Sequence, residues 1–531
     1  MASDRQNVGQ STGRIKSWLQ VLVLIIFSGL ILAMSIRGIG GNPTAAEILN
    51  KKWKEDGPFE LSPERGRFAL TYSLVENKTF YFSVPLARFI LPDLGYKNGH
   101  YVSLFAPGVS YVVAPGYWVG KWLGSSQVGA FAVVALFGLG NLLLIRAIAV
   151  RLGADKRAAT LGGLAFLFAS PAFAYAVTLY QHQISTFLIL ASLYLLVKFN
   201  SWWSLLVIWF LCAASIPVDY PNLFLMTPIA LMAVGKMVYY KKSRSGVLLG
   251  VKLGRIFTMA AAVLPLVFFM WFNQQSYGNP WQLSGTVPGV EEIDANGNPT
   301  APAHATVDKD DLEKYFDPEL QKKSIFGFFE TRELVNGLYI HLFSPDRGVI
   351  YYAPLVLVGL LGGVWLYRRN PEITVVCLGV VAADILLYSM WGDPWGGWAF
   401  GSRYLIPSYA MAGILLAFLL TRLRKRSFGL MLIWLLMGYG VAVSAAGALT
   451  TNALPPKVQV LELEKLSGMV QKYTYRRNFD QLLVNNSKSF LFGQEGHKYV
   501  SAWQYYLVVV GLIMTGTTGL MVMLRWGGRN D

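Results

Sequence analysis

The chain has 531 residues, of which 54% are apolar and only 14% charged, with a mean hydropathy of +0.42 and a net charge of +16. Soluble proteins carry about 25% charged residues, so this chain cannot cover a water-facing surface, and the same composition excludes disorder, coiled coil and collagen. Cys212 and Cys377 lie inside apolar runs with no CxxC, so cysteine says nothing about redox compartment.

A membrane-spanning helix needs about 20 mostly apolar residues. In chain order, spans are predicted near 17–36, 127–149, 158–180, 183–198, 202–217, 221–239, 250–273, 347–367, 373–391, 404–421, 427–449 and 502–524. The first is too long for a signal-peptide core and is kept as a span. The segment 105–124 is apolar but interrupted by Pro107, Gly108, Pro115 and Gly116, and would be a thirteenth span or an interfacial helix. Charge decides. With the N-terminus inside and 105–124 in the outer interface, the inner segments hold 22 basic residues and four acids, a net of +18; the outer face holds 24 and 26, a net of −2. A spanning 105–124 would put the Arg146–Arg157 loop outside, against the positive-inside rule. The fold class expected is an all-α polytopic membrane protein of about 12 (12–13) transmembrane helices, with interfacial helices in outer loops.

Three outer segments are large: 37–126, 274–346 and 450–501. All five histidines and most acids lie on that face, whereas the inner loops are short and basic and carry no phosphate-binding glycine loop. In the first outer segment, Ser62 and Pro63 are an N-cap and first-turn signal for a helix lying on the membrane. Glu64 and Arg67, three apart on it, would be a dipole-favoured acid in a surface ion pair, or a catalytic pair. Arg403, in the glycine- and tryptophan-rich run Gly392–Pro407, and Arg347, in Phe343–Pro354, stand where spans begin. Each is a cation able to meet a lipid phosphate or to snorkel to a headgroup. Asp384 lies within a span, a functional-site signal by default. Asp219 marks an outer joint between spans, and His182 a tight turn, Tyr180–Gln183. Asp308–Asp311 imitates a DxD metal motif, but as a charged loop it reads as a solvated helix start.

Taken together, four segments resemble the membrane-embedded glycosyltransferases of the GT-C fold, in the family 39-like branch that includes protein O-mannosyltransferases and lipid A aminoarabinose transferases. They are Pro63-Glu64-x-x-Arg67-Phe68-Ala69, Tyr96–Gly108 (YKNGHYVSLFAPG), Phe343–Pro354 (FSPDRGVIYYAP) and Trp395–Pro407 (WGGWAFGSRYLIP). The match runs from the first span through the tenth, which gives a catalytic region at 1–449 followed by an outer loop and a last span at 450–531. The resemblance implies transfer of a sugar, with inversion, from a polyprenyl-phosphate carrier to a lipid, glycan or protein acceptor outside the cytoplasm of a bacterial inner membrane. It implies Glu64 as the acid and Arg67 and Tyr404 at the carrier phosphate, where Arg403 and Arg347 would assist. His100, His182 and Asp219 are weaker candidates for contacts to sugar or acceptor. Two departures stand out: relatives often have Asp at position 64, and Phe105 replaces a lysine usually aimed at the phosphate. Arg403, Arg347 or Lys97 would substitute for that cation, and a lysine restored at 105 is expected to compensate in part for loss of Arg403. No His or Asp spacing marks a metal site, and assistance by a divalent cation stays open. The competing class is a transporter or flippase of lipid-linked saccharides, which would favour symmetric repeats and polar groups at the midplane.

Overall fold

In the computed structural model, residues 2–54, 57–243, 246–300, 325–424, 426–470 and 472–526 are described. The Asp308–Asp311 motif, His304 and Asp56 lie outside them. The chain is an all-α polytopic membrane protein. Among the described residues seven helices are long and apolar enough to cross a bilayer: Trp18–Ser35, Ser126–Arg151, Leu253–Tyr277, Pro371–Ser389, Arg403–Leu423, Ser427–Leu449 and Ala502–Leu524. Four shorter apolar helices, His182–Lys198, Trp202–Ala214, Thr227–Met237 and Pro354–Tyr367, stand at other predicted spans. The span expected at 158–180 is not one helix. It stops at Phe168 and resumes for five residues at Ala172–Ala176, because Pro171 has no N–H to continue the ladder. Arg403–Leu423 is the axis of the bundle, with most of its surface buried by neighbouring helices.

The loops sort to two ends, as the charge pattern requires. At one end Asp155 meets Arg424 at 3.6 Å, and Arg369 donates to Gly153 O at 2.6 Å. At the other, Arg37 meets Glu60, Lys488 meets Glu60, Lys457 N meets Asp346, and Arg347 donates to Leu454 O. The Gly108–Trp122 helix has both ends at this second end. Gly108 N donates to Pro217 O at 2.6 Å, and Gly41 N to Gly124 O at 3.0 Å. At about 1.5 Å per residue its fifteen residues cover about 22 Å, short of a hydrocarbon core about 30 Å thick.

Small antiparallel elements decorate the bundle. Leu94–Lys97 pairs with His100–Ser103, turning through Asn98 and Gly99 in left-handed conformation, and with Gly289–Val290. At the basic end, Val238–Ser243 pairs with Gly246–Val251. The first outer segment packs a second core against the helix Ser126–Arg151, in which the Phe59 ring meets Phe68 at 4.6 Å, Phe89 at 5.4 Å and Phe131 at 5.8 Å.

The sorting of loops predicts opposite sidedness for Lys156 and Asn296, both exposed. In sealed vesicles, a membrane-impermeant thiol reagent should label cysteines placed at these two positions from opposite sides. Labelling of both from one side would overturn the alternation.

Candidate active site

The helix Ser62–Tyr72 does not lie on a surface. Its residues from Glu64 to Thr71 are all buried. Phe68 anchors it in the aromatic core of the first outer segment, and Thr71 Oγ1 and Ser110 Oγ both donate to Arg67 O, at 2.8 and 2.9 Å. The helix begins one residue earlier than the N-cap signal implied: Leu61 is the N-cap, and the Ser62 hydroxyl bonds Asp93 instead of capping. Glu64 reaches back so that its Oε2 accepts the Leu61 N–H at 3.3 Å, the return half of a capping box. Its Oε1 is buried with no partner. No ion pair joins Glu64 to Arg67 among the described residues, which removes the surface-pair reading. Burial first, then the neighbouring Glu60 charge, pushes the Glu64 carboxyl up to about 7, against the pull of Arg37, the Leu61 N–H and Lys488.

Arg67 is held on two sides. Its Nη1 donates to Pro63 O at 2.9 Å and its Nη2 to Gln181 Oε1 at 2.6 Å; Gln181 Nε2 in turn donates to Asp219 Oδ2 at 3.2 Å. Its Nε has no partner. The guanidinium lies 4.9 Å over the Phe105 ring and 5.8 Å from the Tyr180 ring. Arg403 approaches the same Tyr180 ring, at 5.1 Å, and the Tyr404 ring at 5.4 Å; its Nε and Nη1 have no partner. Tyr180 thus brings together one cation from the first outer segment and one from the start of the axial helix. Tyr404 stacks on Tyr388 at 4.1 Å, and the His182 ring meets Tyr180 at 5.9 Å and Tyr404 at 6.2 Å, with its Nε2 unpartnered. Gly396, at φ +69°, passes so close that a Cβ there would meet the Tyr404 ring at 3.0 Å and Arg403 Nε at 3.3 Å. A glycine suits such a place because it has no Cβ to clash. Burial raises the Asp219 carboxyl to about 6, although Arg67 pulls it down.

The structure therefore gathers Glu64, Arg67, Arg403, Tyr404, His182 and Asp219 into one neighbourhood. It leaves out four others. Arg347 is buried with its donors committed to the carbonyls of Trp395, Asp346, Gly397 and Leu454, so its charge holds loops together and is not free for a phosphate. His100 is exposed at the hairpin end and stacks on Tyr81 at 4.1 Å. Lys97 pairs across from it on the same hairpin. Asp384 is buried, its Oδ2 accepting from the Ser408 N–H at 3.1 Å and hydroxyl at 2.6 Å, which makes it a bond between two spans. Tyr180, Gln181, Arg65 and Tyr388 belong to the neighbourhood without a motif of their own. The one sequence signal for the first two was a polar turn, next to His182, between apolar runs.

Phe105 has its own part here. Its ring covers Arg67 and also fills the space beside Gly66, where a Cβ would stand 2.5 Å from ring atoms. A lysine at 105 would replace a cation–π contact, about 0.5–2 kcal/mol, with a like charge against Arg67. The expectation that such a lysine compensates for a lost Arg403 is revised for that reason. Among the described residues no three His, Cys, Asp or Glu side chains group as a metal site.

No protein-family model matches the sequence, and no curated protein matches it. Solved structures resemble the chain. ArnT from Cupriavidus metallidurans in the apo state is 15% identical, with a TM-score of 0.42 over 97% of this chain and 77% of that one. The same protein bound to undecaprenyl phosphate is 16% identical, with a TM-score of 0.44 over 96% and 76%. The apo oligosaccharyltransferase from Archaeoglobus fulgidus is 12% identical, with a TM-score of 0.38 over 94% of this chain and 56% of that one.

The raised Glu64 carboxyl fixes the sign of a pH effect. Below about pH 4.5 Glu64 is protonated in both the folded and unfolded states. As pH rises to about 7 the unfolded chain loses the proton first, so folding is progressively penalised, and the penalty is constant above that. Glu64→Gln removes it. The melting temperature of the variant relative to the parent should climb between pH 4.5 and 7 and then level off; a pH-independent difference would contradict the buried, unpaired carboxyl.

Proposed function

We propose that this chain is an integral-membrane glycosyltransferase of GT-C type that moves a sugar from a polyprenyl-phosphate carrier to an acceptor hydroxyl, with inversion. One observation carries the reading. Two arginines with unsatisfied donors meet around Tyr180, and one of them shares a short buried helix with a carboxyl that has an unsatisfied oxygen. Unsatisfied buried groups cost stability, and a cluster of them with complementary charge suits a reacting anion and a transferred proton.

In the proposed step the acceptor oxygen attacks the anomeric carbon. The bond from that carbon to the carrier phosphate breaks, its electron pair stays on the phosphate oxygen, and Glu64 takes the acceptor proton. A base whose pKa is near the working pH suits that transfer. Arg67 and Arg403 face the charge that develops on the leaving phosphate, and being fixed they need no reorganisation. Gln181 and Asp219 position Arg67, and Tyr404 with His182 forms an aromatic and polar wall.

The carrier's isoprenoid tail has a matching place. An apolar groove of 1180 Å³ lies between the helices Thr227–Met237 and Pro371–Ser389. It reaches from Lys236 and Glu372 at the basic end to Phe224, Phe329 and Met390, beside Tyr388 of the site. The charge split supports a bacterial inner membrane with the basic end in the cytoplasm and the site on the outer face.

Glu64→Gln keeps the shape but cannot accept a proton. Transfer should fall by about 10²–10⁴-fold while undecaprenyl phosphate still binds, and the parent's kcat/KM should rise with pH through an inflection near 7. Near-normal transfer would move the role to another outer acid, Asp219 first; a flippase would show no transfer even in the parent.

Arg403→Lys preserves charge but loses the planar fork. Undecaprenyl phosphate binding, followed by titration into detergent-solubilised protein, should weaken in Arg403→Lys and weaken further in Arg403→Ala. Full binding by Arg403→Ala would detach Arg403 from the donor site.

A further inference from the structure

A second polar hollow, of 320 Å³, opens beside Glu60. Glu60 forms one wall and Thr451, Arg477, Gln481, Asn486 and Lys488 the others, so the first and last outer segments build it jointly. The Glu60 side chain is only 7% exposed. It takes Arg37 Nη1 at 3.1 Å, Lys488 Nζ at 2.9 Å and the Asn452 N–H at 2.9 Å. Arg477 is different. Its guanidinium lies 5.8 Å over the Trp398 ring, which is itself tethered by Nε1 to Gln459 Oε1 at 3.1 Å, and it donates no hydrogen bond among the described residues. Three cations, Arg37, Lys488 and Arg477, therefore surround one ionised carboxylate, which leaves positive charge in excess and one planar fork without a partner.

Shape and lining narrow the occupant. The volume is at the lower end of the ~300–1,000 Å³ of small-molecule sites, room for a sugar-sized group and not for a folded protein. Asn486 Nδ2 donates to Gln481 Oε1, which leaves the Gln481 amide nitrogen to donate and the Asn486 amide oxygen to accept, as hydroxyl groups require. An Arg fork suits phosphate or carboxylate. The hollow also adjoins the chemistry. Glu64 is tied to the N–H of Leu61, the residue after Glu60, and feels the charges of Glu60, Arg37 and Lys488.

We infer that this hollow binds the acceptor, and that the acceptor is a sugar bearing a phosphate or carboxylate group, placed so that one of its hydroxyls reaches Glu64. The acceptor role rests on the transferase reading above; the binding of an acidic sugar does not. Such a sugar has two sources, a free glycan or the headgroup of a glycolipid.

The test uses the full chain in phosphatidylcholine nanodiscs, titrated calorimetrically with glucose 6-phosphate, glucuronate and glucose, and separately with undecaprenyl phosphate. The two acidic sugars should bind at least tenfold more tightly than glucose. Arg477→Gln should erase that preference while leaving undecaprenyl phosphate binding unchanged, which also reports that the variant is folded. Gln481→Leu, which keeps every charge, should weaken all three sugars. Equal binding of acidic and neutral sugars, no sugar binding, or an Arg477→Gln chain that keeps the preference would each overturn the inference. A phosphorylated glycolipid in the disc that competes with glucose 6-phosphate assigns the lipid source, and failure to compete assigns the free glycan. If acidic sugars bind and undecaprenyl phosphate does not, the transferase reading falls and the acidic-sugar site stands; the reverse result removes only the site.

Discussion

Arg37 carries a full charge into a place with no exposed surface, immediately after the first membrane helix. Its guanidinium donates to Ala448 O at 3.1 Å, Gly447 O at 2.5 Å, Asn452 Oδ1 at 2.9 Å and Glu60 Oε2 at 3.1 Å. Lys488 completes the group through Glu60 and Gly57 O. Three segments far apart in the chain are thereby tied at one point. Breaking a buried ion pair on one side typically costs ~3–5 kcal/mol, because the remaining charge is stranded. The position of Glu60 follows from this clasp, and with it the start of the helix that carries Glu64 and Arg67.

The clasp also divides the acids by role. Glu60 has two cations and stays ionised, so its charge acts on Glu64, which has no cation bonded to it. Two carboxyls four residues apart, both buried, are thus driven to different protonation behaviour by different partners. The same division runs through the arginines. Arg37 and Arg347 have their donors filled by carbonyls and carboxylate and hold the outer segments together. Arg67 and Arg403 keep unfilled donors beside aromatic rings, where attraction to the ring faces retains the charge without using up the hydrogen-bonding positions.

Much of this architecture was legible in the sequence, for identifiable reasons. Apolar runs such as 427–449 and 502–524 became helices within a few residues of their predicted bounds, because apolar backbone in a bilayer must satisfy its own hydrogen bonds. The loops near Gly153, Arg369 and Arg424 meet at one end, as a shared charge-rich side requires. Motif spacing led to Glu64, Arg67, Arg403 and Tyr404. It also led to Arg347 and His100, which share motifs with residues of the proposed site but sit elsewhere. A motif records which residue occurs where, not how many carbonyls surround it.

The sequence by itself determined the class of structure: the membrane as solvent, and the apolar helices that cross it. These follow from local apolar content and charge, which act residue by residue. Only the tertiary structure decided which charges are filled and which are free. Whether Arg347 or Arg403 is available depends on loops 50 to 100 residues away folding over one and not the other, as the bonds to Trp395, Gly397 and Leu454 show. Tyr180 became the meeting point of two cations, and Phe105 the support of one, through contacts between segments that no local pattern encodes. The burial that raises Glu64 is likewise a property of everything packed around it.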